Sequence, residues 1–503
     1  MAKTIRSLLD TGDRNAPAIG AEDRSDLTHG GLRDFADEMV ARLNALGIGR
    51  DDRIGIVLPN GPEMATAFLT FACAATTAPL NPAYRAEEFD FYLSDLNAKA
   101  LVVQQGEDSP AIAVAEKKGI AVFRLVPRTG DAAGLFDLHG EPVGAAGKPG
   151  PAEADDVALI LHTSGTTSRP KIVPLSQSNL VASAENIGAA LALTPQDRCV
   201  NIMPLFHIHG LIAAVLSSVA AGGSTWCSPG FNALRFFNWI ETARPTWYTA
   251  VPTMHQAILT RAGRNAEIVR AHPLRLIRSS SSSLPPQVMA ELEETFSCPV
   301  IESYGMTEAT HQMASNPLPP AARKPGSVGI AAGPEVRIMD MEGRLLDAGE
   351  TGEVVIRGAN VTRGYEANPK ANAEGFTNGW FRTGDQGVID AEGYLTITGR
   401  LKEIINRGGE KISPREVDEV LMDHPAVAQA VTFAMPHPKL GEDVAAAIVL
   451  REGETADEKA VRGFAATRLA DFKVPRKILI LDEIPKGATG KLQRIGLAEK
   501  LGL

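Results

Sequence analysis

Residues 163–171 are Thr163-Ser164-Gly165-Thr166-Thr167-Ser168-Arg169-Pro170-Lys171, and they directly follow an apolar run at 157–162. The run is typical of a buried strand. Hydroxyls, successive backbone N–H groups and a lysine suit a triphosphate, whose oxygens only accept hydrogen bonds. The spacing differs from G-x-x-x-x-G-K-[ST], so that common phosphate motif is absent. Taken alone, the segment is equally consistent with a phosphate cradle and with a polar turn that carries an incidental lysine.

Apolar β-rich runs alternate with helical patterns on both sides of this loop, through about four-fifths of the chain. This alternation predicts an α/β architecture with largely parallel sheets. After about residue 350 the pattern changes to short strands separated by Gly-rich turns, which predicts a small β subdomain. The predicted strands are 53–58, 157–162, 199–203, 300–304, 353–357 and 394–398, with a helix at 63–74.

The last hundred residues have an α+β pattern of their own. A segment of this size can form a separate small domain. We therefore predict a large N-terminal domain, residues 1–399, made of α/β subdomains and a small β subdomain, followed by a small α+β C-terminal domain, residues 400–503. The predicted elements of the second domain are helices 414–422 and 456–469 and strands 428–434, 444–449 and 477–481.

Composition excludes several classes of protein. The 503 residues are 44% hydrophobic and 22% charged, and the net charge of −10 argues against a nucleic-acid partner. Four scattered cysteines form no C-x-x-C pair, and we expect no N-terminal signal peptide, because residues 1–4 lead into no long apolar region. The longest apolar run, 211–221, is short of the ~20 residues that span a bilayer. We expect a cytoplasmic protein with no membrane partner; the sequence carries no signal of oligomeric state.

Four further segments follow the loop in the order found in one enzyme family. Together with the loop they resemble the adenylate-forming superfamily, which comprises acyl-CoA synthetases, firefly-type luciferases and peptide-synthetase adenylation domains. The resemblance covers nearly the whole chain, and the loop departs from it at Ser168 and Ile172, where glycine is usual. The four segments are Ser303-Tyr304-Gly305-Met306-Thr307-Glu308, Thr383-Gly384-Asp385, Gly399-Arg400-Leu401-Lys402-Glu403 with Gly408-Gly409-Glu410-Lys411-Ile412, and Pro485-Lys486-Gly487-Ala488-Thr489-Gly490-Lys491.

The resemblance implies an ATP-dependent, AMP-forming acid–CoA ligase that needs Mg²⁺ and uses ATP and CoA as co-substrates. Lys491 is expected to stabilise the adenylation transition state, Thr307 to bind the α-phosphate and Glu308 to bind Mg²⁺. Tyr304 should stack on adenine opposite the serine run 281–283, where Gly and Ala are usual. The other nucleotide-binding residues implied are Thr163, Ser164, Gly165, Thr166, Thr167 and Lys171 at the β- and γ-phosphates, Asp385 and Arg400 at the ribose, and Ser281, Ser282 and Ser283 in the adenine loop.

The same resemblance implies a mobile C-terminal domain that rotates between two half-reactions. Lys402 occupies the hinge position, and Gly408, Gly409 and Glu410 would approach the pantetheine tunnel after the rotation. His207 matches a histidine that gates the carboxylate site, whereas we interpret His209 as a packed histidine.

The identity of the acid depends on His311 and Ser281. Both would lie near the α-phosphate, where a fatty chain would need an apolar wall, and two donors there would suit a second carboxylate. Residues 306–319 and 404–414 resemble the oxalate–CoA ligase subfamily, so oxalate is the predicted acid. Malonate, glycolate, acetate or a fatty acid remain alternatives, as does a stand-alone adenylation module that loads a carrier protein.

Overall fold

The computed structural model describes residues 3–163, 170–486 and 492–503. Within these residues the strands form two large sheets and two five-stranded sheets. In chain order the strands are β1 Pro17–Gly20, β2 Leu27–Thr28, β3 Arg53–Val57, β4 Thr76–Pro79, β5 Ala100–Gln104, β6 Ala121–Pro127, β7 Phe136–His139, β8 Val157–Thr163, β9 Lys171–Ser176, β10 Arg198–Asn201, β11 Ser224–Cys227, β12 Trp247–Ala250, β13 Leu276–Ser279, β14 Val300–Met306, β15 His311–Ser315, β16 Ile330–Ala331, β17 Glu335–Met339, β18 Thr351–Arg357, β19 Phe376–Thr377, β20 Trp380–Ile389, β21 Leu395–Arg400, β22 Ile405–Arg407, β23 Glu410–Ile412, β24 Val427–His437, β25 Gly441–Leu450 and β26 Lys477–Ile480.

The helices begin where local sequence can satisfy their first N–H groups. Thr28 and Ser176 cap the two longest α-helices with their hydroxyls, and several others begin with proline. One π-helix, His209–Leu216, interrupts the α/β alternation. The α-helices are α1 Ile5–Leu8, α2 His29–Ala45, α3 Pro62–Phe71, α4 Ala86–Asp95, α5 Pro110–Lys117, α6 Gln177–Ala190, α7 Ser217–Ala220, α8 Phe236–Ala243, α9 Pro252–Ala262, α10 Ala266–Ala271, α11 Pro286–Phe296, α12 Pro369–Gly375, α13 Pro414–Met422, α14 Glu458–Ala466 and α15 Leu497–Lys500.

The two large sheets confirm the predicted parallel α/β architecture. The seven-stranded sheet has the order β7-β6-β5-β3-β4-β8-β9, with parallel pairing from β6 to β8 and an antiparallel strand at each edge. The nine-stranded sheet has the order β16-β15-β14-β13-β12-β10-β11-β1-β2, and its central pairs are parallel.

The main core lies between these two sheets. The helix α3 is buried almost all round, and every residue of the π-helix is buried. A helix that is apolar on all sides has to be enclosed by other elements, and here the enclosing elements are the two sheets and α2. No helix of the described residues is long and apolar enough to cross a membrane.

Two smaller sheets complete the fold, as the sequence predicts. The strands β17 to β21 form the small β subdomain, which begins at Glu335, earlier than the expected position near 350. The strands β22 to β26 form a separate sheet flanked by α13 and α14.

All four cysteines of the chain are free and buried: Cys73, Cys199, Cys227 and Cys298. Burial raises the pKa of the thiols of Cys73, Cys227 and Cys298 to about 12.

The nine-stranded sheet determines where chemistry-bearing residues collect. The strands β12, β13 and β14 run parallel, so their carboxyl ends lie at one edge, where ligands bind in open α/β sheets. Thr249 lies near the end of β12, Ser281 follows β13, and Tyr304 lies near the end of β14.

Candidate active site

The loop at 163–171 is anchored by an antiparallel strand pair. Thr163 ends β8 and Lys171 begins β9, and the two residues face each other in the register of the sheet. Ser164, Gly165, Thr166 and Thr167 lie outside the described residues, so their roles remain predictions. Strand pairing therefore fixes both ends of the loop at the same edge of the sheet.

Glu308 lies beside both ends of this loop. Its Oε1 accepts a hydrogen bond from the Tyr365 hydroxyl at 2.9 Å and lies 3.5 Å from the Thr163 hydroxyl. The Lys171 ammonium lies 4.3 Å from the centre of the Tyr365 ring, a cation–π distance. Burial raises the pKa of the Glu308 carboxyl, and the nearby cations Arg400 and Lys171 oppose the rise. The structure thus brings together three residues that the sequence assigns to the phosphates and metal.

The donor set at Glu308 fits Mg²⁺. No cluster of three or more His, Cys, Asp or Glu side chains suited to a metal exists among the described residues. A hard dication that is bound by one carboxylate, nucleotide phosphates and water needs no such cluster. Glu308 is only 5% exposed, so a bound cation would offset the cost of burying its negative charge.

Tyr304, Asp385 and Arg400 form a connected group at the other side of this region. The Tyr304 hydroxyl donates to Asp385 Oδ2 at 2.5 Å, and Arg400 Nε donates to Asp385 Oδ1 at 2.9 Å. Asp385 raises the pKa of the Arg400 guanidinium. The strands β20 and β21 position the pair, because Asp385 faces Arg400 in their register. An acidic acceptor beside an aromatic ring is a suitable arrangement for a nucleoside.

The serine run after β13 divides into two parts. Ser281 has a φ of 70° and is half-buried, whereas Ser282 and Ser283 are exposed. The Ser281 hydroxyl lies 3.0 Å from His209 Nδ1, so this serine, and not the other two, is connected to the interior. His207 Nδ1 accepts from the backbone N–H of His209 at 3.2 Å.

His311 lies in a strained segment directly after the Thr307–Ala309 turn. Thr310 and His311 have φ values of 49° and 94°, and non-glycine residues with such values often mark functional sites. The segment is fixed by Thr310, whose hydroxyl donates to Asn360 O at 2.7 Å. The His311 ring contacts the His209 ring edge-on, with centres 4.8 Å apart.

Two residues of this neighbourhood escaped the sequence reasoning: Arg278 and Thr249. His209, which the sequence suggests is merely packed, contacts Ser281 and also lies 2.6 Å from the Thr249 hydroxyl. Arg278 is fully buried beside Thr249 and His311. An arginine between the apolar pair Leu276-Ile277 and the serines was the signal that could have identified it.

A cavity of about 540 Å³ opens beside the segment that precedes His207 in the chain. Its wall is mostly apolar, and His207 directly follows the lining residue Phe206. The lining includes Leu58, Leu80, Pro204, Leu205, Phe206 and Met254.

Comparison with known proteins assigns the chain to a family. Residues 10–366 match the AMP-binding enzyme family, and residues 416–491 match the AMP-binding enzyme C-terminal domain. The chain is an AMP-binding enzyme. Among curated proteins it is 46% identical to an oxalate–CoA ligase of Arabidopsis thaliana (98% of this chain, 97% of that protein) and 43% identical to one of Saccharomyces cerevisiae (90% and 87%).

Solved structures agree with this assignment over the full length. The crystal structure of ATP-bound MatB from Rhodopseudomonas palustris superposes with a TM-score of 0.89 at 31% identity, covering 99% of both chains. The apo form of the same protein gives 0.78 with the same coverage.

The remaining predicted residues lie after β21, four of them before the segment 416–491 that matches the C-terminal domain family. Gly408 and Gly409 form the turn between β22 and β23, with φ values of 60° and 102°, and Glu410 begins β23. The Gly408 N–H donates to Leu440 O, within the C-terminal sheet. Lys402 is exposed between β21 and β22, and Lys491 lies outside the described residues. The roles of these five residues therefore stay predictions.

Proposed function

We propose that this AMP-binding enzyme is an acid–CoA ligase that converts oxalate, ATP and CoA into oxalyl-CoA, AMP and pyrophosphate. Full-length similarity to two proteins named oxalate–CoA ligase supports the reaction. The observation that carries the choice of acid is the buried polar cluster of Arg278, His209 and His311 beside Ser281. A fatty chain would be poorly solvated by these groups, whereas a second carboxylate could accept their hydrogen bonds.

The first half-reaction makes the acid reactive. A carboxylate is a poor electrophile, so its oxygen attacks the α-phosphate of ATP, pyrophosphate leaves, and a mixed anhydride with AMP forms. Negative charge accumulates on phosphate oxygens, and catalysis consists mostly of positioning and electrostatic stabilisation. Mg²⁺ held by Glu308 would supply positive charge at these oxygens.

The side chains around the nucleotide would act by holding and orienting it. Lys171 and the loop hydroxyls would bind the β- and γ-phosphates, and Thr307 the α-phosphate. Asp385 and Arg400 would bind the ribose, and the Tyr304 ring would stack on adenine. Lys491, from the C-terminal domain, would stabilise the charge that develops as the carboxylate attacks.

The second half-reaction needs a path for a thiol to the acyl carbonyl. The mostly apolar cavity lined by Phe206, the residue before His207, has the character expected for a pantetheine arm, which carries little charge. The thiol attacks the carbonyl carbon, AMP leaves, and a thioester forms. Rotation of the C-terminal domain about Lys402 would bring Gly408, Gly409 and Glu410 to this path.

Pyrophosphate release from ATP, measured against a panel of acids with and without CoA, tests the proposal. We expect the largest kcat/KM with oxalate, followed by malonate and then by glycolate and acetate, and product formation that requires free CoA. A maximum with a fatty acid would contradict the choice of acid, and acyl transfer only to a carrier protein would contradict the use of CoA.

A further inference from the structure

Arg278 is a fully buried cation, and its hydrogen-bond partners among the described residues are all neutral. Its side chain lies in the middle of the nine-stranded sheet, on β13 between β12 and β14. Its terminal nitrogens lie 3.2 Å from Gln312 Oε1, 3.4 Å from Thr249 Oγ1 and 3.5 Å from His311 Nδ1. Its Nε has no hydrogen-bond partner, and no carboxylate of the described residues forms an ion pair with it. Burying a charge without a counter-charge costs folding free energy, which suggests that this arginine has a functional role.

One consequence of this cation is a fixed direction of hydrogen bonding towards Ser281. A guanidinium donates and never accepts, so Thr249 Oγ1 is the acceptor in its contact with Arg278. The single hydroxyl hydrogen of Thr249 is then directed at its other contact, His209 Nε2, 2.6 Å away. Nε2 therefore accepts, and the neutral His209 ring carries its hydrogen on Nδ1, which donates to Ser281 Oγ at 3.0 Å. The Ser281 hydroxyl hydrogen is left to point away from the interior.

The donor-only guanidinium of Arg278 also determines the tautomer of the second histidine, His311. Arg278 can only donate to His311 Nδ1, so the neutral His311 ring carries its hydrogen on Nε2. A positive charge at this distance also disfavours a second proton on the ring. Arg278 thus determines the tautomers of both histidines and the orientation of one hydroxyl.

We propose that Arg278 is a positioning residue for acid specificity, which acts through Thr249 and His209 on Ser281 and directly on His311. It turns the Ser281 O–H and the His311 Nε2–H into donors for the second carboxylate of a small dicarboxylic acid. The inference rests on the proposed function, because it assumes that the acid pocket adjoins these two groups. The positive charge of Arg278 adds a long-range preference for a dianion over a monoanion in a medium of low dielectric constant.

We call the chain of contacts from Arg278 through Thr249 and His209 to Ser281 the relay. Thr249→Val tests the relay with little change of shape, because it replaces only the Thr249 hydroxyl by a methyl group. The readout is the preference for oxalate over oxamate, in which an uncharged amide replaces one carboxylate. Oxamate is measured as a substrate or as a competitive inhibitor of pyrophosphate release. We expect Thr249→Val to lower this preference on the order of tenfold, mainly through the KM for oxalate, and Thr249→Ser to restore it.

Thr225→Val is the matched control. Thr225 is also buried on a strand of the same sheet, but its hydroxyl donates to Ala214 O, outside the relay. We expect its preference for oxalate to equal that of the unmodified chain. Equal loss of preference in both variants would show a general packing effect and would overturn the relay.

Arg278→Met and Arg278→Lys test the cation itself. Methionine fills similar volume without a donor and should lower the preference at least as much as Thr249→Val. Lysine keeps a donor-only cation and should retain more of the preference than methionine. If the unmodified chain uses oxalate but Thr249→Val leaves its preference unchanged, the relay is wrong and the proposed function stands. If the unmodified chain uses no dicarboxylic acid, the proposed function itself fails.

Discussion

At the scale of single residues, Tyr365 connects two groups for which we propose different roles, one at the metal and one at the phosphates. Its hydroxyl donates to Glu308, and its ring faces the Lys171 ammonium. The hydroxyl therefore orients the carboxylate proposed to hold Mg²⁺, while the ring restrains the lysine proposed to hold phosphates. The two effects can be separated, because phenylalanine keeps the ring and loses only the hydroxyl.

We expect Tyr365→Phe to raise the Mg²⁺ concentration needed for half-maximal pyrophosphate release about three- to tenfold. The expected size corresponds to the loss of one hydrogen bond to a charged group. The KM for the acid should change less than the Mg²⁺ requirement.

Tyr394→Phe is a closely matched control for this change. The Tyr394 hydroxyl also donates a hydrogen bond, to Ala322 O at 2.6 Å, and Lys324 lies 4.2 Å from its ring centre. The Tyr394→Phe variant should need the same Mg²⁺ concentration for half-maximal pyrophosphate release as the unmodified chain. An equal shift in both variants would mean that Tyr365 has no special relation to the metal.

At the scale of secondary-structure elements, the strand β14 contains a buried carboxyl group besides its site residues. Glu302 is 1% exposed; its Oε1 accepts from the Leu284 N–H at 3.0 Å, and its Oε2 has no hydrogen-bond partner. Burial raises the pKa of this carboxyl to about 7, and Arg415 opposes the rise. Since an unfolded chain would ionise it near its usual value of about 4.3, the folded chain holds the proton more tightly.

We expect the free energy of unfolding to fall as pH rises from about 5 to about 8, because the stabilising proton is lost as pH passes the folded-state pKa. Glu302→Gln, which cannot ionise, should reduce this fall by an amount on the order of 1–3 kcal/mol. Urea denaturation at both pH values measures it. Glu291→Gln, at an exposed position of α11, is the control and should leave the pH dependence as it is.

The sequence predicted the strands and helices better than it predicted contacts between distant side chains. Apolar runs such as those of β8 and β14 have a clear period and length, and motif order placed Glu308, Asp385 and Arg400 near one another. His209 shows the limit of this reasoning: its contacts with Ser281 and Thr249 join segments 72 and 40 residues apart in the chain. No local pattern encodes such contacts, and Arg278 was missed because charged residues are rarely fully buried.

At the scale of the whole molecule, Arg415 joins the two predicted domains. From α13 it donates to Ile397 O at 2.8 Å and to Gly326 O at 3.1 Å, both in the larger part of the chain. The arrangement superposes better with ATP-bound than with apo MatB, with TM-scores of 0.89 and 0.78. We propose that these contacts belong to the domain arrangement used in the first half-reaction.

We expect Arg415→Met to lower the rate of adenylation about three- to tenfold, because loss of two hydrogen bonds from a charged donor weakens this domain arrangement. Thioester formation from supplied acyl-adenylate should be affected much less. Arg468→Met is the control, since Arg468 lies over Phe464 within the C-terminal domain. Equal slowing of both half-reactions by Arg415→Met would contradict the assignment.

The buried cysteines have a consequence for the chemical fidelity of the proposed reaction. An acyl-adenylate acylates any thiolate that reaches it, so a cysteine near the site would divert the intermediate into a dead-end self-modified protein. The thiols of Cys73, Cys199, Cys227 and Cys298 are all enclosed, and burial raises the pKa of each, so they remain protonated. A bound CoA thiol would thus meet no competing cysteine thiolate of this chain.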